Sequence, residues 1–455
     1  MIRTLQISLF IILFLPFQVL SQPSPSDFQF PSSYQPLGSG ARASGMGGAF
    51  IGISDDATAA SWNPGGLVQL EKSEISIVGS FFRRTEDLQS DSSNQYGDQP
   101  VNYEGLNYFS LSHCFSFLQR NMVVSINYQN LYNFDRDWAI QIPLQFETPG
   151  LNADDMKVDF ASDGNLSAIG LAYSVEIHPN FSMGFTLNFW EEDISKNFWE
   201  TKTNYSFKYN TATVEYMETQ ESKYEYQLDS GFNTNIGFLW QISPRLTLGG
   251  VYKARFTSDI SQKSVQIKHT EQRIIPTDTL TTETKIFPGS DEYKLAIPES
   301  YGIGLAFKVT NLWTVSMDIY RTQWDEFIIT TDQGKFSPLF ALPSNEDFTF
   351  PDTIPTIKPT HQVRFGTEYL MLNKDQQMII PFRLGIFYDP IPGKGSPDKA
   401  WGFSLGSGMS KPPYNFDVAF QYRHASNLGE DYLINSIQSF DMDEATLHTS
   451  FIYHF

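Results

Sequence analysis

The sequence has little of three things that other classes of protein need. Its 455 residues include one cysteine, which cannot form an internal disulfide and cannot build a zinc site of thiolates. Basic residues are scarce, with 31 Lys and Arg against 51 Asp and Glu, and the resulting charge of −20 argues against nucleic acid as a partner. No long hydrophobic run occurs beyond the N-terminus, and the mean hydropathy of −0.28 excludes a polytopic helical membrane protein.

Aromatic residues are abundant instead. The chain has 38 Phe, 22 Tyr and 8 Trp, so aromatics make up 15% of a sequence that is only 41% hydrophobic. Disordered chains are poor in aromatics, and the composition therefore indicates a folded protein. Two classes remain: a large globular protein, or a membrane protein whose apolar residues alternate with polar ones.

The first 21 residues have the form of a secretory signal peptide. Arg3 gives a positive start, residues 7–15 form an apolar stretch, and a cleavage site lies near Ser21/Gln22. A short membrane anchor is the alternative, but a span needs about 18 apolar residues and Pro16 interrupts this run. No cysteine directly follows the cleavage site, which argues against a lipoprotein. We therefore expect the mature chain to leave the cytoplasm.

Apolar residues recur at every second position along most of the remaining sequence. In residues 167–177 and again in 181–189 they alternate with small or polar residues, and only His178, Pro179 and Asn180 separate the two runs. This pattern predicts two strands joined by a tight antiparallel turn. Further strand pairs are predicted at residues 109–117 with 122–134, 232–242 with 246–256, 301–309 with 313–319, 363–371 with 380–388, and 401–409 with 414–422. Single strands at 73–84 and 445–455 bring the predicted number to fourteen.

The connections between these strands are alternately short and long. Short links lie at residues 118–120, 178–180, 243–244, 310–311, 372–377 and 411–413. Long links lie at residues 85–105, 135–164, 193–225, 259–297, 326–360, 390–399 and 426–444. Bacterial outer-membrane barrels have an even number of strands, short periplasmic turns and long extracellular loops. The pattern therefore predicts an all-β fold, a fourteen-stranded antiparallel transmembrane β-barrel with both termini on the periplasmic side.

A soluble β-sandwich or propeller is the alternative, since both also use short alternating strands. The second face of the strands argues against it, because Asp318, Glu368, Arg364 and Arg383 are costly in a sandwich core but suit a wet lumen. Aromatic residues at the strand ends are typical of interfacial girdles. The last strand alternates to a C-terminal Phe455, which resembles the signal by which barrel assembly machinery recognises its substrates.

Residues 22–72 precede the strands and do not alternate. Residues 22–36 are rich in Pro and Ser, and eight glycines follow between Gly38 and Gly66. About 50 residues are too few for a separate domain, whereas the lumen of a fourteen-stranded barrel is too wide for its own side chains to fill. We therefore predict that residues 22–72 form an N-terminal extension and a lumenal plug, and that residues 73–455 form the barrel.

Three stretches are similar to sequence signatures of one protein family. Residues 55–67 contain DDA and then WNPGGL, residues 297–327 begin with IPESY, and residues 382–392 read FRLGIFYDPIP. These stretches resemble the plug signature, a hairpin and a strand with its loop in the FadL/TodX family of outer-membrane transporters for hydrophobic substrates. The plug signature is matched at Asp55, Asp56, Asn63, Pro64 and Gly65, although the family has Ala at the last of these positions.

The resemblance implies passive transport of hydrophobic small molecules, such as long-chain fatty acids or aromatic hydrocarbons, past a plug that binds them. In that family a kinked third strand allows sideways release, but residues 121–134 contain no Gly or Pro that would mark a kink. A different function is implied by a second likeness. The GMGGAF segment is similar to PorV-type proteins, so an interaction component of a protein secretion system is the alternative.

Candidate binding residues follow from the need for an apolar cleft with a few polar groups. In the plug the candidates are Phe50, Ile51, Trp62 and Leu67, which are equally suited to anchoring the plug to the wall. In the wall they are Arg364 and Arg383, which could equally pair with Asp318, Glu368 or Asp55. Lys253 is a further candidate for pairing a carboxylate head group. The link at 326–360 is rich in apolar residues and is expected to capture substrate or to pack over the barrel mouth. Its candidate residues are Phe327, Phe336, Leu339, Phe340 and Phe348.

The sequence shows no constellation for covalent chemistry. Residues 402–406 match the hydrolase pattern G-x-S-x-G, but that pattern needs a strand-to-helix elbow and here lies inside a predicted strand. The seven histidines are scattered, so we expect no metal, no cofactor and no enzyme. The run Asp441 to Glu444 is either a cation site that bridges lipopolysaccharide or a solvated loop. Outer-membrane lipid and lipopolysaccharide are the expected surroundings.

Overall fold

A computed structural model of the chain shows a single antiparallel sheet that closes on itself. The structure describes residues 38–89, 95–142, 151–195, 197–331, 334–336, 357–375, 377–393, 396–429 and 439–455. Its strands are β1 (Glu74–Gln89), β2 (Gln95–Phe117), β3 (Arg120–Asn133), β4 (Arg136–Ile142), β5 (Asn152–Ala153), β6 (Met156–His178), β7 (Phe181–Glu191), β8 (Phe198–Asn210), β9 (Val214–Ser243), β10 (Leu246–Lys253), β11 (Phe256–Ile274), β12 (Thr279–Ile297), β13 (Ser300–Thr310), β14 (Trp313–Thr322), β15 (Ile328–Thr331), β16 (Gly334–Phe336), β17 (Thr360–Asn373), β18 (Met378–Tyr388), β19 (Ala400–Lys411), β20 (Tyr414–Leu428) and β21 (Ser439–His454).

Fourteen strands form the barrel wall, as the alternation predicted. In wall order they are β1, β2, β3, β6, β7, β9, β10, β13, β14, β17, β18, β19, β20 and β21, each antiparallel to the next. The ring closes because β21 pairs with β1 along its whole length, from Glu74↔His454 to Gln89↔Ser439.

Side-chain alternation explains why these sequences form a wall around a lumen. In β17, Val363, Phe365 and Tyr369 point outward and are 38%, 45% and 51% exposed, whereas Arg364 and Glu368 between them are buried inside. Successive side chains of a strand point to opposite faces, so one strand can present apolar groups to lipid and charged groups to the lumen. Exposed aromatic residues lie near both ends of the wall strands: Trp240, Trp313 and Tyr414 at one end, and Tyr252, Tyr301 and Trp401 at the other.

Six short turns join wall strands at one rim of the barrel, where the sequence placed them. The turns lie at residues 118–119, 179–180, 244–245, 311–312, 374–375 and 412–413. The wall also starts and ends at this rim, at Glu74 and His454. By the orientation rule for outer-membrane barrels this is the periplasmic rim, and the opposite end is the outer rim.

The long links at 193–225 and 259–297 were expected to be loops, but the structure shows them as strands. Beyond the outer rim, residues 157–162 of β6 pair with both β4 and β8, and residues 215–227 of β9 pair with both β8 and β11. Strand β12 continues this outer sheet, and β15 and β16 follow it. The wall strands β6 and β9 therefore run without interruption from the barrel into the outer sheet.

The segment before β1 folds inside the barrel as a plug. It contains helices α1 (Ala41–Gly45) and α2 (Ala59–Trp62) and a 3₁₀ helix (Pro64–Gln69). Outside the plug there are only short helices in the described ranges: α3 (Glu192–Ser195) and 3₁₀ turns at Ile275–Thr277 and Trp324–Glu326. None of the described helices is long and apolar enough to span a membrane. The predicted signal peptide and residues 22–36 lie outside the described residues.

Candidate functional site

The wall holds the plug mainly by its backbone. Ser316 Oγ donates to Ala49 O at 2.7 Å, Ser404 Oγ donates to Gly45 O at 2.9 Å, and Thr186 Oγ1 donates to Ala60 O at 3.0 Å. Within the described part of the plug, these carbonyls have no hydrogen-bond partner in a helix or strand, and the wall hydroxyls supply the partner instead. Ser404 is the serine of the G-x-S-x-G match, and its role here is to bind the plug.

Glycines allow the plug backbone to touch the wall backbone. A Cβ added at Gly65 would lie 2.6 Å from Phe238 Cα and 2.8 Å from Gly237 O. A Cβ added at Gly385 of the wall would lie 2.2 Å from Gly47 N of the plug. Because no side chain fits at these positions, the Gly-rich composition of the plug follows from its close contact with the wall.

The plug signature residues brace the plug. Asn63 Nδ2 donates to Ile51 O and to Phe238 O, both at 2.9 Å, while its Oδ1 accepts from Gly65 N at 3.1 Å. Asn63 therefore ties the plug both to itself and to β9, and Pro64 begins the 3₁₀ helix. Asp56 Oδ1 accepts from the backbone and the hydroxyl of Thr58 at 2.9 and 2.6 Å.

An ion network joins the plug to the periplasmic half of the wall. Arg42 of α1 lies 2.6 Å from Asp55 Oδ1 and 2.9 Å from Glu368 Oε2. Arg383 in turn lies 3.0 Å from Glu368 and 2.6 Å from Asp417. The predicted ligand residue Arg383 is thus engaged by two wall carboxylates, and Asp55 of the signature is engaged by the plug itself.

The four apolar candidates in the plug pack in different places. Phe50 and Trp62 meet edge to face, with ring centroids 6.0 Å apart, while Ile51 packs on Val251 and Tyr320 of the wall. Leu67 belongs to a separate cluster with Val123 and Ala172. All four are almost fully buried. The structure therefore does not bring them together as one pocket.

A second ion network crosses the outer half of the lumen. It consists of alternating charges whose partners lie 2.5–3.7 Å apart: Arg364 with Asp389, Asp389 with Arg423, Arg423 with Glu444, Glu444 with Arg84, Arg84 with Glu86, and Glu86 with Arg136. The predicted ligand residue Arg364 belongs to it. Residues Asp441 to Glu444, expected in a loop, lie in β21, and the described residues contain no cluster suited to a metal ion.

An aromatic cluster fills the mouth of the barrel above the plug. Trp199 stacks between Phe134 and Tyr226 at centroid distances of 4.6 and 5.0 Å, and Trp190 stacks on Phe256 at 4.9 Å. The cluster includes Phe327, which is 2% exposed, so this candidate for the capture loop packs in the mouth. The Phe336 side chain and Leu339, Phe340 and Phe348 lie outside the described residues.

The wall has an interruption between β2 and β3. Their backbone pairing ends at Tyr108↔Gln129, yet β2 continues beside β1 and β3 continues beside β6. One residue on each side is left out of the neighbouring ladder: Asn107 in β2 and Leu131 in β3. We call this interruption the seam. The two extra residues are neither Gly nor Pro, although Gly79 of β1 lies opposite the first bulge. The third strand itself therefore carries no Gly or Pro that would have predicted the seam.

Side chains close the seam. Asn130 Nδ2 donates to Tyr103 Oη at 2.8 Å across it, and the Tyr103 ring stacks on Phe82 at 5.2 Å. Going along β2 towards the outer rim, Leu106 is the last apolar residue that faces outward, with 43% of it exposed, and Glu104 follows it on that face. The seam therefore lies at the outer edge of the apolar belt.

A polar cavity of about 140 Å³, the outer cavity, lies behind the seam. Its lining includes Tyr103, Asn107, Gln129, Asn130, Arg364 and Arg423. Two predicted ligand residues, Trp62 and Arg364, thus reach it. Tyr132 belongs both to this lining and to the aromatic cluster, so the apolar mouth and the polar cavity are contiguous.

A second polar cavity, of about 220 Å³, lies between the plug and the periplasmic rim. Its lining includes Gln69, Glu176, Asn180, Gln241, Thr247 and Lys308. Plug residues 47–53, which we call the plug turn, contribute to both linings: Gly48 lines the outer cavity, and Gly52 and Ile53 line the periplasmic one.

The outer sheet carries one strongly buried carboxylate outside the wall. Glu218 accepts hydrogen bonds from Tyr205 and Tyr216 at 2.9 and 2.5 Å, and Lys268 lies 2.6 Å away. Burial alone raises the pKa of Glu218, but the bonds from Lys268, Tyr216 and Tyr205 outweigh it, and the pKa lies below the ordinary value for Glu.

This combination of a closed wall, an N-terminal plug and a wall interruption can be compared with known proteins. The sequence profile of the outer membrane protein transport protein family (OMPP1/FadL/TodX) matches residues 38–427. The chain belongs to this family. It is a family of outer-membrane transport channels for hydrophobic compounds, as the plug signature indicated. No curated protein matches the chain.

Solved structures of the FadL/TodX family share the fold. A Pseudomonas aeruginosa FadL homologue aligns with a TM-score of 0.60 at 12% identity, over 93% of this chain and 100% of that one. The Pseudomonas putida toluene transporter TodX gives 0.54 at 12%, over 94% and 100%. The Ralstonia pickettii toluene transporter TbuX gives 0.53 at 12%, over 93% and 100%. At this identity the likeness concerns the fold alone.

Proposed function

We propose that this channel passes hydrophobic molecules that carry a polar end, with long-chain fatty acids as the model case, and that they leave through the seam. The observation that carries the proposal is the polar outer cavity directly behind the seam and contiguous with the aromatic mouth. An amphiphile matches this order of surfaces, since its tail suits the apolar cluster and its head suits the polar lining.

The polar lining favours an amphiphile over a pure hydrocarbon. A hydrocarbon in the outer cavity would leave Asn107, Asn130 and Arg423 facing a group that can neither donate nor accept hydrogen bonds. Sites built to hydrogen-bond a ligand reject analogues that lack the polar group. We therefore propose that aromatic hydrocarbons bind this chain less well than fatty acids do.

The route has three steps. Substrate enters at the aromatic mouth, its head group moves along Tyr132 into the outer cavity, and the contact between Tyr103 and Asn130 opens so that it can leave sideways. No covalent step is needed, and the direction of transport follows the concentration gradient.

Deleting the two bulge residues tests the exit. Without Asn107, the residues of β2 that pair with Val78 and Gly79 of β1 become consecutive in the chain. Without Leu131, the residues of β3 that pair with Ser167 and Leu166 of β6 become consecutive. The double deletion therefore keeps both outer registers and lets β2 pair with β3 beyond Tyr108. We expect fatty-acid uptake into reconstituted vesicles to fall about tenfold or more, since a continuous ladder removes the opening.

The matched control deletes Ile177, the residue left out of the β6–β7 ladder at the periplasmic end. It should leave uptake unchanged. Both variants must keep the heat-modifiable gel migration of a folded barrel, and fatty-acid binding measured by tryptophan fluorescence should persist in both. Normal uptake by the folded double-deletion variant would rule out the seam as the exit.

A further inference from the structure

The plug turn lines two cavities that are both polar. Each is lined mainly by amides, hydroxyls and charged groups, and together they extend from behind the seam to the periplasmic rim. The turn contributes to both linings, beside Trp62 on the outer side and Arg42 on the periplasmic side, so its displacement would open a polar path from one cavity towards the other. Such a path suits small hydrophilic solutes or ions and has no use in carrying an apolar tail.

Two charged wall residues hold the plug turn, one at its start and one at its middle, and the Ser316 hydroxyl binds Ala49 O between them. Asp318 of β14 accepts from Phe50 N and Ile51 N, both at 2.7 Å. Arg364 of β17 donates from Nη1 to Gly47 O at 2.8 Å. Both wall side chains are buried, at 1% and 3% exposure. Hydrogen bonds to charged groups are stronger than neutral ones, so this pair contributes much of the hold on the turn.

Asp318 and Arg364 are direct neighbours across the β14–β17 ladder, yet they are not paired with each other in the described structure. The plug turn lies between their charged ends. Asp318 Oδ1 and Arg364 Nε have no hydrogen-bond partner among the described residues. Residues directly opposite on antiparallel strands have Cβ atoms about 5 Å apart, so the two side chains can reach one another once the turn is gone.

The turn also has backbone positions at which it can swing. Gly47 and Gly48 have φ angles of 67° and 75°, a region that glycine enters at little cost. The contact between Gly47 and Gly385 is free of side chains, so no interlocking has to be undone there.

We propose that the plug turn is a gate on a second, polar pathway through this barrel, and that Asp318 and Arg364 are its exchanging latch. In the closed state each residue binds the turn. In the open state the two bind each other, so that Asp318 keeps a charged partner, while Arg364 also keeps its ion pair with Asp389. This pathway is separate from sideways release through the seam and does not depend on it.

The test is ion conductance of the full chain in planar lipid bilayers. Asp318→Ala removes the acceptor of two backbone N–H groups and should raise the open fraction about tenfold or more. The double variant Asp318→Ala with Arg364→Ala should also open. The charge swap Asp318→Arg with Arg364→Asp also loses the three hydrogen bonds to the turn but keeps the wall pair. It is made, together with a matched double alanine variant, in an Asp389→Asn background, because Asp389 lies 2.9 Å from Arg364 and would repel an aspartate there. In that background the swap should open more often than the double alanine variant.

The control is Thr186→Ala, which removes a plug contact outside the turn. It should leave the conductance at the wild-type level. Equal opening of the swap and the double alanine variant would overturn the exchange. Wild-type conductance in all folded variants would overturn the gate itself.

A second measurement needs no change at the latch. In a Cys114→Ser background, Thr247→Cys places one thiol in the periplasmic cavity. A charged thiol reagent added on the outer side should modify it at a rate that follows the open fraction. Absence of modification during recorded openings would also overturn the gate.

Discussion

At the scale of single residues, the wall recognises the backbone of the plug more than its side chains. Serine and threonine hydroxyls bind plug carbonyls, and glycines bring the two backbones into contact. This explains the departure at Gly65 from the alanine usual in the family signature. Here the backbone of β9 at Gly237 and Phe238 occupies the space that an alanine methyl group would need.

Gly65→Ala is therefore expected to unseat the plug. The added methyl group would overlap the β9 backbone, which cannot move as a flexible side chain can, and overpacking of this kind costs about 1–3 kcal/mol. Limited proteolysis should cut the plug of the variant faster than that of the wild type. Gly79→Ala in β1 is the matched control, because its nearest contact is the Thr449 hydroxyl at 3.2 Å. Equal cleavage of the two variants would contradict the explanation given for Gly65.

The sequence predicts which side of the wall a residue faces, but not which partner it binds there. Strand parity placed Asp318, Arg364 and Glu368 in the lumen, but parity cannot say that plug backbone or another charge will meet them. Arg84 and Glu86 were not predicted as lumenal residues, although they lie two and four positions after Phe82 and therefore on the same face of β1. The partners come from strands far apart in sequence, and only the closed ring brings them together.

At the scale of elements, alternation predicted the fourteen wall strands because one face of each is apolar. It failed for the outer sheet. In β8, for example, Lys202, Thr203, Asn204 and Ser206 leave neither face with a continuous apolar stripe. One face of β8 is buried, but Thr201 and Thr203 lie on it, so the hydrophobic period that marks a wall strand is absent. The seam was missed for a related reason, since its bulges use ordinary residues.

The outer sheet should depend on pH through Glu218. Its pKa is lower in the folded protein than in an unfolded chain, so it stabilises the fold above the ordinary Glu range and the contribution is lost as pH falls through the folded pKa. The protection factors of amide hydrogen exchange in β8 and β9, which correct for the pH dependence of intrinsic exchange, should therefore fall on acidification, at pH values below the ordinary pKa of Glu. In Glu218→Gln this loss of protection should be much reduced, whereas Glu221→Gln, exposed on the other face of β9, should behave as the wild type. An unchanged acid response in Glu218→Gln would assign the effect to other carboxylates.

At the scale of the whole molecule, the ring of fourteen strands closes without any plug residue. Backbone pairing of β1 with β21 completes the wall, and the plug adds side-chain and ion contacts inside it. The barrel and the plug therefore have separable stabilities. The lumen keeps its charges whether or not the plug is present, and water can take the place of plug contacts.

Removal of residues 38–72 should leave a folded but leaky barrel. We expect the variant to keep heat-modifiable migration, because the wall ladder is intact, and to conduct ions continuously in planar bilayers, because both polar cavities merge. A barrel lacking only residues 22–37 serves as the control and should stay closed. Loss of the folded band on plug removal would mean that the wall needs the plug in order to close.

The position of the seam determines which layers of the outer membrane a solute would cross inside the barrel. The interruption lies at the outer edge of the apolar belt, far from the periplasmic rim. If the proposed exit is correct, a hydrophobic solute that leaves there would have passed any surface layer of saccharide and would have entered only the outer leaflet. Crossing hydrocarbon is easy for such a solute, whereas crossing hydrated saccharide is not. The barrel would then act as a bypass around the one barrier its cargo cannot pass unaided, and net uptake would be set by whatever removes the cargo from the inner leaflet.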